Sequence, residues 1–133
     1  MLTVPRWAAP CWRPHDPQDV KTRARARAAA GSDARMSGCE LPVVINSGSG
    51  NQGLTVSLPV IEYAQQLGAD QEDPVRVLLI SNLLSIHIKR HWRALHASAV
   101  PSAPAAGASA AITLPLQWYG IDQICAAIVS TYL

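Results

Sequence analysis

Hydrophobic residues recur at helical spacing along residues 54–67. They lie three or four positions apart and form two neighbouring rows, the first with Leu54, Leu58 and Ile61 and the second with Val56, Val60, Tyr63 and Leu67. Gly68 follows the last of them, as is typical of the residue just after a helix. The pattern therefore predicts a helix that ends at Gly68. Pro59 must lie in its first turn or at a kink, because proline lacks the N–H that a helix interior requires.

A second helix is predicted from Asp73 to about residue 90. Asp73 is a suitable N-cap, and Pro74 fits the first helical position, where no N–H is needed. One apolar stripe follows at spacings of four and three: Val75, Leu79, Leu83 and Ile86. A stripe of this kind is typical of the face that a helix packs against a protein core.

The N-terminal part of the chain has a weaker pattern. Residues 1–17 contain four prolines and no periodicity, which predicts an irregular tail. Residues 18–30 are rich in alanine and arginine. We expect a short exposed helix there, which starts near Asp19, stops before Gly31 and keeps its arginines in solvent. Residues 41–46 are apolar and predict a short strand or an extended segment.

The C-terminal part of the chain has few charged residues. Residues 98–111 are mainly small, so they fit either a tightly packed helix or a flexible segment, and Pro101 and Pro104 disfavour a regular helix around them. Residues 121–133 are apolar on nearly every side, which predicts a helix buried all round, with Cys125 in the core. Taken together, the segments predict a mainly α fold.

Composition limits the chain to one modest domain. Of its 133 residues, 49% are hydrophobic and 15% are charged, as in globular proteins. The excess positive charge lies in residues 1–38, with seven Lys or Arg against three Asp or Glu. This region has few aromatic residues, and the overall pI of about 8.6 is below the range of nucleic-acid-binding domains. We therefore expect no nucleic acid partner. Because no apolar segment is long and uninterrupted, we also expect no membrane partner.

The chain has three cysteines, Cys11, Cys39 and Cys125. They are too few and too scattered for a disulfide framework, so we expect reduced thiols and a cytoplasmic location. Cys39 is flanked by Gly38 and Glu40, which favours an accessible thiol over a buried one. His87 and His91 are four positions apart and fit one helix face, but no cysteine or carboxylate accompanies them. Solvated or capping histidines are therefore favoured over a metal site.

Residues 46–53 read Asn-Ser-Gly-Ser-Gly-Asn-Gln-Gly and precede the first long helix. Glycines let backbone N–H groups approach an anion without side-chain obstruction. Gly48, Gly50 and Gly53 also match the dinucleotide-binding pattern G-x-G-x-x-G, but that fold needs a strand after the helix, where a second helix is predicted. No Lys-Ser or Lys-Thr pair follows the loop, which excludes a P-loop. A connector that lets two helices pack closely is the structural alternative.

These motifs together resemble the L-cysteine desulfidase family, which is related to the serine dehydratase alpha chain. The resemblance is carried by Ser-Asp-Ala-Arg-Met-Ser-Gly-Cys at 32–39, the glycine loop at 46–53, the helix at 54–67 and Ser-Asn-Leu at 81–83. It is close over residues 21–89 and resumes from Gly107, most clearly at Asp-Gln-Ile 122–124. By this resemblance, residues 18–133 are a partial serine-dehydratase-alpha-like domain that diverges at residues 90–106.

The resemblance implies a mainly helical domain that holds a [4Fe-4S] cluster through three cysteines and uses the open iron as a Lewis acid. A base would remove the α-proton of L-cysteine, or of L-serine, and the resulting enamine would hydrolyse to pyruvate and ammonia. Cys39 would be a cluster ligand or a thiolate near the cluster. The substrate carboxylate would be held by Ser47, Gly48, Ser49, Gly50 and Asn51. These motifs do not identify the base.

The chain also departs from the family pattern. Family members are much longer and carry more cysteines, so we expect an incomplete fragment that is inactive alone. Residues 90–106 replace a Gly-Ile-Gly turn and a Cys-Gly-Ala segment of the relatives. Skipping two bases in one possible coding of residues 98–106 gives Cys-Gly-Ala-Ile-Ser-Ala-Gly-Gly, which indicates a local frameshift. The alternative function is a small helical interaction module whose apolar surface docks on a partner or on a second copy, giving a homo-oligomer.

Overall fold

The computed structural model describes residues 19–68, 72–91, 102–116 and 120–131. These residues form α-helices α1 Val20–Met36, α2 Gly50–Gln66, α3 Glu72–His91, α4 Ser102–Leu116 and α5 Ile121–Ser130. Within these ranges there is no β-strand, and an isolated backbone bridge joins Asn46 to Ser49. The mainly α fold predicted from the sequence is confirmed. The tail predicted at residues 1–17 lies outside the described residues.

The helices pack around α2 and α4. Helix α2 contacts α1, α3 and α4, while α4 also contacts α3 and α5. The buried hydrophobic residues are all small: Ala24, Ala26, Val56, Val60, Ala64, Val77, Ala106, Ala108, Ala110 and Ala111. In the described part of the chain, no leucine, isoleucine or aromatic residue belongs to this set. The helix backbones therefore lie close together, because small side chains leave little space between them.

Helix α1 is longer than its sequence pattern predicts. The prediction of a helix over residues 18–30 that stops before Gly31 is wrong, since α1 continues to Met36. A Cβ atom built on Gly31 would lie 3.1 Å from Leu58 Cδ1 of α2. Gly31 thus marks a close approach of two helices rather than a helix end. The prediction at the N-terminus is correct, because Asp19 is the N-cap.

An ion-pair cluster joins α1 to α2. Arg23 Nε lies 2.7 Å from Glu62 Oε1, and Arg27 Nη1 lies 2.8 Å from Glu62 Oε2. The Glu62 side chain is 3% exposed, whereas those of Arg23 and Arg27 are 26% and 54% exposed. Arg23 also donates to Gln66 Oε1 at 2.6 Å. The prediction that the arginines of this helix form only a solvated face is therefore wrong for Arg23, whose partner lies 39 residues away in sequence.

Helices α2 and α3 lie where the periodicity predicts them, with different starts. Helix α2 begins at Gly50, so Pro59 is inside the helix and not in its first turn. Gly68 follows the helix with a φ of 62°, as its position predicted. Helix α3 begins at Glu72, which places Pro74 in the first turn, where its missing N–H costs no hydrogen bond.

The apolar stripe of α3 does not face the core. Its four residues are exposed, at 66% for Val75, 59% for Leu79, 57% for Leu83 and 48% for Ile86. The buried face of the helix carries Val77, Ser81 and Ser85 instead. A Cβ atom built on Gly107 of α4 would lie 2.6 Å from the Ser81 carbonyl oxygen and 3.0 Å from the Ser85 nitrogen. Because α4 approaches the α3 backbone so closely, only small residues fit between the two helices.

The C-terminal helices correct two further expectations. The small residues after Ser102 form a regular helix, and Pro104 is buried within its first turn. Helix α5 has no buried residue, and Cys125 is exposed, so the prediction of a helix buried on every side is wrong. Among the described elements α5 packs mainly on α4, which covers one of its sides. No described helix is both long enough and apolar enough to span a membrane.

Candidate functional site

The glycine-rich loop contains a tight two-residue turn. Ser47 and Gly48 have φ values of 51° and 87°, and Ser47 is the one non-glycine residue with positive φ in the described ranges. The Asn46 N–H donates to the Ser49 carbonyl oxygen at 3.2 Å, and the Ser49 N–H donates back to the Asn46 carbonyl oxygen at 3.1 Å. Two successive positive φ values closed by such a pair are typical of a hairpin-type turn. The turn leads directly into α2.

Two side chains of α3, those of Asn82 and Lys89, form hydrogen bonds to this turn. The Lys89 ammonium donates to the Ser47 carbonyl oxygen at 2.6 Å and to Gln52 Oε1 at 3.0 Å. The Asn46 amide donates to Asn82 Oδ1 at 2.8 Å, and the Ser47 hydroxyl donates to Asn46 Oδ1 at 2.9 Å. Asn82 and Lys89 are seven residues apart, which is about two helical turns, so they share one face of α3. The conformation of the loop is therefore fixed by a helix that follows it in sequence.

Positively charged side chains and backbone N–H groups meet at the start of α2. Its N-cap, Ser49, makes no side-chain hydrogen bond to the helix, so the N–H groups of the first turn have no partner within it. Arg35 of α1 donates to Asn51 Oδ1 at 3.0 Å, and a Cβ atom on Gly50 would lie 2.6 Å from Arg35 Nε. The guanidinium thus lies across the helix start, which is possible because residue 50 is glycine. Together with Lys89, whose two acceptors are neutral, these groups favour an anion.

The extended segment before the loop packs tightly on α2. Gly53 is buried, and a Cβ atom at this position would overlap the carbonyl oxygen of Val44. Residues 42–45 form neither a helix nor a strand, so the predicted strand alternative is wrong. Their side chains at Val44 and Ile45 are 77% and 66% exposed. Glycine at residue 53 is therefore required by the close passage of the backbone.

Cys39 lies just beyond the C-terminus of α1. Gly38 has a φ of 90° and donates its N–H to the Arg35 carbonyl oxygen at 3.2 Å, while the Cys39 N–H donates to the Ala34 carbonyl oxygen at 3.0 Å. This pair of bonds is a Schellman motif, in which a left-handed glycine closes the helix. Cys39 has a free, exposed thiol, as its neighbours predicted. Because Arg35 contacts Asn51, the end of α1 and the start of α2 lie at the same edge of the molecule.

Comparison with known proteins gives a family with this sequence pattern. The family model described as "Serine dehydratase alpha chain" matches residues 8–132. The chain belongs to the serine dehydratase alpha chain family. The resemblance drawn from the sequence motifs is thereby confirmed. No solved structure matches the chain significantly.

Several bacterial relatives of this serine dehydratase alpha family chain carry the name UPF0597 protein. One from Desulfitobacterium hafniense is 54% identical over 112 residues, which cover 84% of this chain and 26% of the relative. One from Lachnoclostridium phytofermentans is 54% identical over 113 residues, 85% of this chain and 27% of the relative. One from Treponema denticola is 45% identical over 116 residues, which cover 87% of this chain and 27% of the relative. The chain thus spans about a quarter of the length of these relatives.

The described residues do not fit a complete iron–sulfur site of the kind that the family resemblance implies. By that resemblance, three cysteine thiolates that lie close together in space would hold the cluster. Among the described residues, no group of three or more His, Cys, Asp or Glu side chains is placed to hold a metal ion. Cys39 can supply one thiolate, and Cys11 and the side chain of His91 lie outside the described part. His87 is exposed on α3.

The structure places the residues predicted to bind the substrate carboxylate beside three others that the sequence analysis did not indicate. The five candidate substrate-binding residues form the turn and the first residues of α2: Ser47, Gly48, Ser49, Gly50 and Asn51. Arg35, Gln52 and Lys89 were not singled out, although they contact this segment. Arg35 belongs to the motif at residues 32–39 that carries the family resemblance. Its place in this motif is the one feature of the sequence that could have indicated a role for Arg35.

Proposed function

We propose that this chain is the carboxylate-binding part of a serine dehydratase alpha family lyase that converts L-cysteine, or alternatively L-serine, to pyruvate. With L-cysteine, the α-proton leaves, the C–S bond breaks and the enamine takes up water and loses ammonia. The products are pyruvate, ammonia and hydrogen sulfide, so one water is consumed per cysteine. The observation that carries the proposal is the first turn of α2, which has no side-chain cap from Ser49 and has the Arg35 guanidinium lying across it.

The residues of the loop take defined roles in this proposal. The first-turn N–H groups of Gly50 and Asn51 donate to one oxygen of the substrate carboxylate, and the Arg35 guanidinium donates to the other. Guanidinium groups suit this role because they stay charged and form strong charge-assisted hydrogen bonds to carboxylate oxygens. Lys89 contributes positive charge and keeps Ser47 in its left-handed conformation. Substrate orientation would then be set by backbone groups that the fold has already placed.

For the iron–sulfur cluster, the proposal concerns Cys39. Cys39 is proposed as one cluster ligand, since its thiol is free and exposed at the edge that also carries the glycine loop. Because the described residues gather no further ligand set, we expect the chain alone to release no pyruvate. Free thiols at Cys39 and Cys125 suit the reducing cytoplasm, which we propose as the location.

Carboxylate recognition is testable on the chain as it stands. In a titration followed by ¹⁵N–¹H NMR, L-serine and L-cysteine should shift the amides of residues 48–52. Ethanolamine and cysteamine, which lack the carboxylate, should leave those amides in place. Arg35→Met should weaken the response, whereas Arg25→Met, at an exposed arginine of the same helix, should not. Equal shifts with the amines, or shifts spread outside the loop, would contradict the proposal.

The cluster assignment has a separate test. Anaerobic reconstitution with ferrous iron and sulfide should give the isolated chain little of the broad visible absorption of a four-iron cluster. A stoichiometric cluster that forms on the chain alone and survives Cys39→Ala would show that Cys39 is not a ligand. Pyruvate release from L-cysteine, measured on the same sample, reports activity independently of absorption.

A further inference from the structure

We infer that the outer face of α3 is the surface against which the rest of a serine dehydratase alpha domain packs. The face is defined by Val75, Leu79, Leu83 and Ile86, here named the outer stripe. This inference rests on family membership and on exposure, and it does not depend on the proposed reaction. The occupant is the polypeptide that the longer relatives carry outside the segment matched by this chain.

The outer stripe consists of aliphatic side chains of the kind that proteins usually bury, but here they are exposed to solvent. Its four aliphatic side chains are between 48% and 66% exposed. They span twelve residues of helix, which is about 16 Å along its axis, and their spacing keeps them on one side. Single exposed aliphatic residues are common on protein surfaces, but a continuous row of four marks an interaction site.

Helix α3 already has a packed side, so the stripe is a second apolar face. The packed side contacts α2 and α4, and it carries Val77, with Leu78 and Ile80 partly buried against the same core, as well as Ser81 and Ser85. The Ser81 hydroxyl donates to the Val56 carbonyl oxygen of α2 at 2.8 Å. A helix that is apolar on two sides is typical of the interior of a larger domain, where neighbours lie on both. In the described part of the chain, neighbouring helices lie on one side of α3.

The stripe borders the candidate site. Asn82, which holds Asn46 of the loop, directly precedes Leu83 in the sequence, and Lys89 lies one turn beyond Ile86. Leading into the loop, Val44 and Ile45 are also exposed, at 77% and 66%. A polypeptide that covers the stripe therefore also shields one side of the glycine loop from water.

The length of the relatives identifies the occupant. The chain corresponds to 26% of the Desulfitobacterium hafniense relative, so about three quarters of that protein has no counterpart here. That polypeptide belongs to the same protein as the α3 equivalent, so it is present wherever the equivalent of the stripe is present. A dimer of this chain through the stripe is the competing arrangement, and the experiments below distinguish the two.

The experiment compares the same side chains in two settings. In one, the purified chain is labelled with a photoactivated carbene, which marks exposed side chains. In the other, the chain replaces the homologous segment of the Desulfitobacterium hafniense relative, and this full-length chimera is labelled identically. The stripe should be labelled in the chain alone, and its labelling should be lost in the chimera. The unmodified relative, labelled at its equivalent helix, gives the same comparison if the chimera does not fold.

Double acidic substitutions in the stripe provide a second measurement. Leu79→Asp with Leu83→Asp should leave the urea midpoint of the isolated chain nearly unchanged, because both residues are exposed, and should unfold the chimera. Lys21→Ala with Arg25→Ala, at the same spacing on an exposed part of α1, changes the net charge by the same amount and is the control.

Three results would overturn the inference. The stripe could be labelled equally in the chain, the chimera and the relative. The acidic pair could leave the chimera as stable as its control. The isolated chain could instead form a dimer that protects the stripe and that the acidic pair dissociates, in which case a second copy is the occupant. Failure of L-serine to shift the loop amides would count against the proposed function alone.

Discussion

The ammonium of Lys89 lies 2.6 Å from the carbonyl oxygen of Ser47. This contact joins the third helix to a left-handed residue of the loop across 42 positions of sequence. A left-handed conformation costs free energy for a residue with a side chain, so it persists where the surroundings hold it. The hydroxyl of Ser47 is held as well, by Asn46. The shape of the loop is therefore a tertiary property of α3 as much as a local property of its glycines.

Lys89→Met should loosen the loop without removing the aliphatic stem of the side chain. It deletes two hydrogen bonds from a charged donor, which typically costs about 1.5–3 kcal/mol in the free energy of unfolding. Urea denaturation measures that loss, and faster hydrogen exchange at the Ser49 N–H reports its location. Arg90→Met removes an exposed cation one residue further along, and it should change neither quantity. Similar losses in both variants would mean that net charge, and not the contact with Ser47, is responsible.

Gly53→Ala and Gly31→Ala should have opposite effects although both replace a glycine inside a helix. At residue 53 the new Cβ overlaps the Val44 carbonyl oxygen, so the backbone must move, at a cost of about 1–3 kcal/mol or more. At residue 31 the Cβ meets the flexible end of Leu58, at 3.1 Å, and helix propensity favours alanine by up to about 1 kcal/mol. Thermal unfolding of the two variants tests the contrast. A stabilised Gly53→Ala protein would show that residues 41–46 do not pack on α2 as described.

The two arginines that pair with Glu62 should contribute unequally to stability. Arg23 is 26% exposed and also donates to Gln66, whereas Arg27 is 54% exposed. Arg27→Met should cost less than about 1 kcal/mol, as for surface ion pairs, and Arg23→Met about 2 kcal/mol. Urea unfolding measures both losses, and high salt should reduce the first more than the second. With Glu62→Gln as the common background, the difference between the two arginine variants should shrink to the contribution of the Arg23–Gln66 hydrogen bond.

The N-cap of α1 should make stability depend on pH in the acidic range. The Asp19 carboxylate accepts hydrogen bonds from the Lys21 N–H and from the Thr22 hydroxyl, and these lower its pKa below the ordinary value. A folded-state pKa below the unfolded one stabilises the protein above the unfolded pKa, and the gain disappears as pH falls through the folded pKa. Asp19→Ala should therefore lower the urea midpoint at neutral pH, and the difference should shrink below about pH 4. Glu40→Ala, at an exposed carboxylate outside the helices, is the control. A difference that persists unchanged at low pH would contradict ionised capping.

Periodicity in the sequence located α2 and α3 but assigned the wrong side of α3 to the core. The pattern finds the apolar residues of a helix and does not identify its neighbour. Here the neighbour is α4, whose glycine at residue 107 approaches the Ser81 carbonyl oxygen so closely that small residues must face it. Alanine-rich α4 itself gave no periodic signal, because its residues differ too little in hydrophobicity.

The candidate site was predictable to the extent that it is local. Glycines at fixed spacing indicate an anion-binding turn within eight consecutive residues, and the cysteine precedes it closely in the sequence. Arg35 and Lys89 reach the loop from 16 and 42 residues away from their partners, through helix packing that no local pattern encodes. The same holds for Cys125, which becomes exposed because α5 is covered mainly on the side that meets α4.

The small residues between the helices have a thermodynamic consequence. Apolar surface exposed on unfolding raises the heat capacity, and a core of alanine and valine has less of it to expose than one of leucine and phenylalanine. The stability of this chain should therefore vary little with temperature, giving a broad, shallow curve with a weak maximum. Such a protein resists cooling well and melts over a wide range on heating.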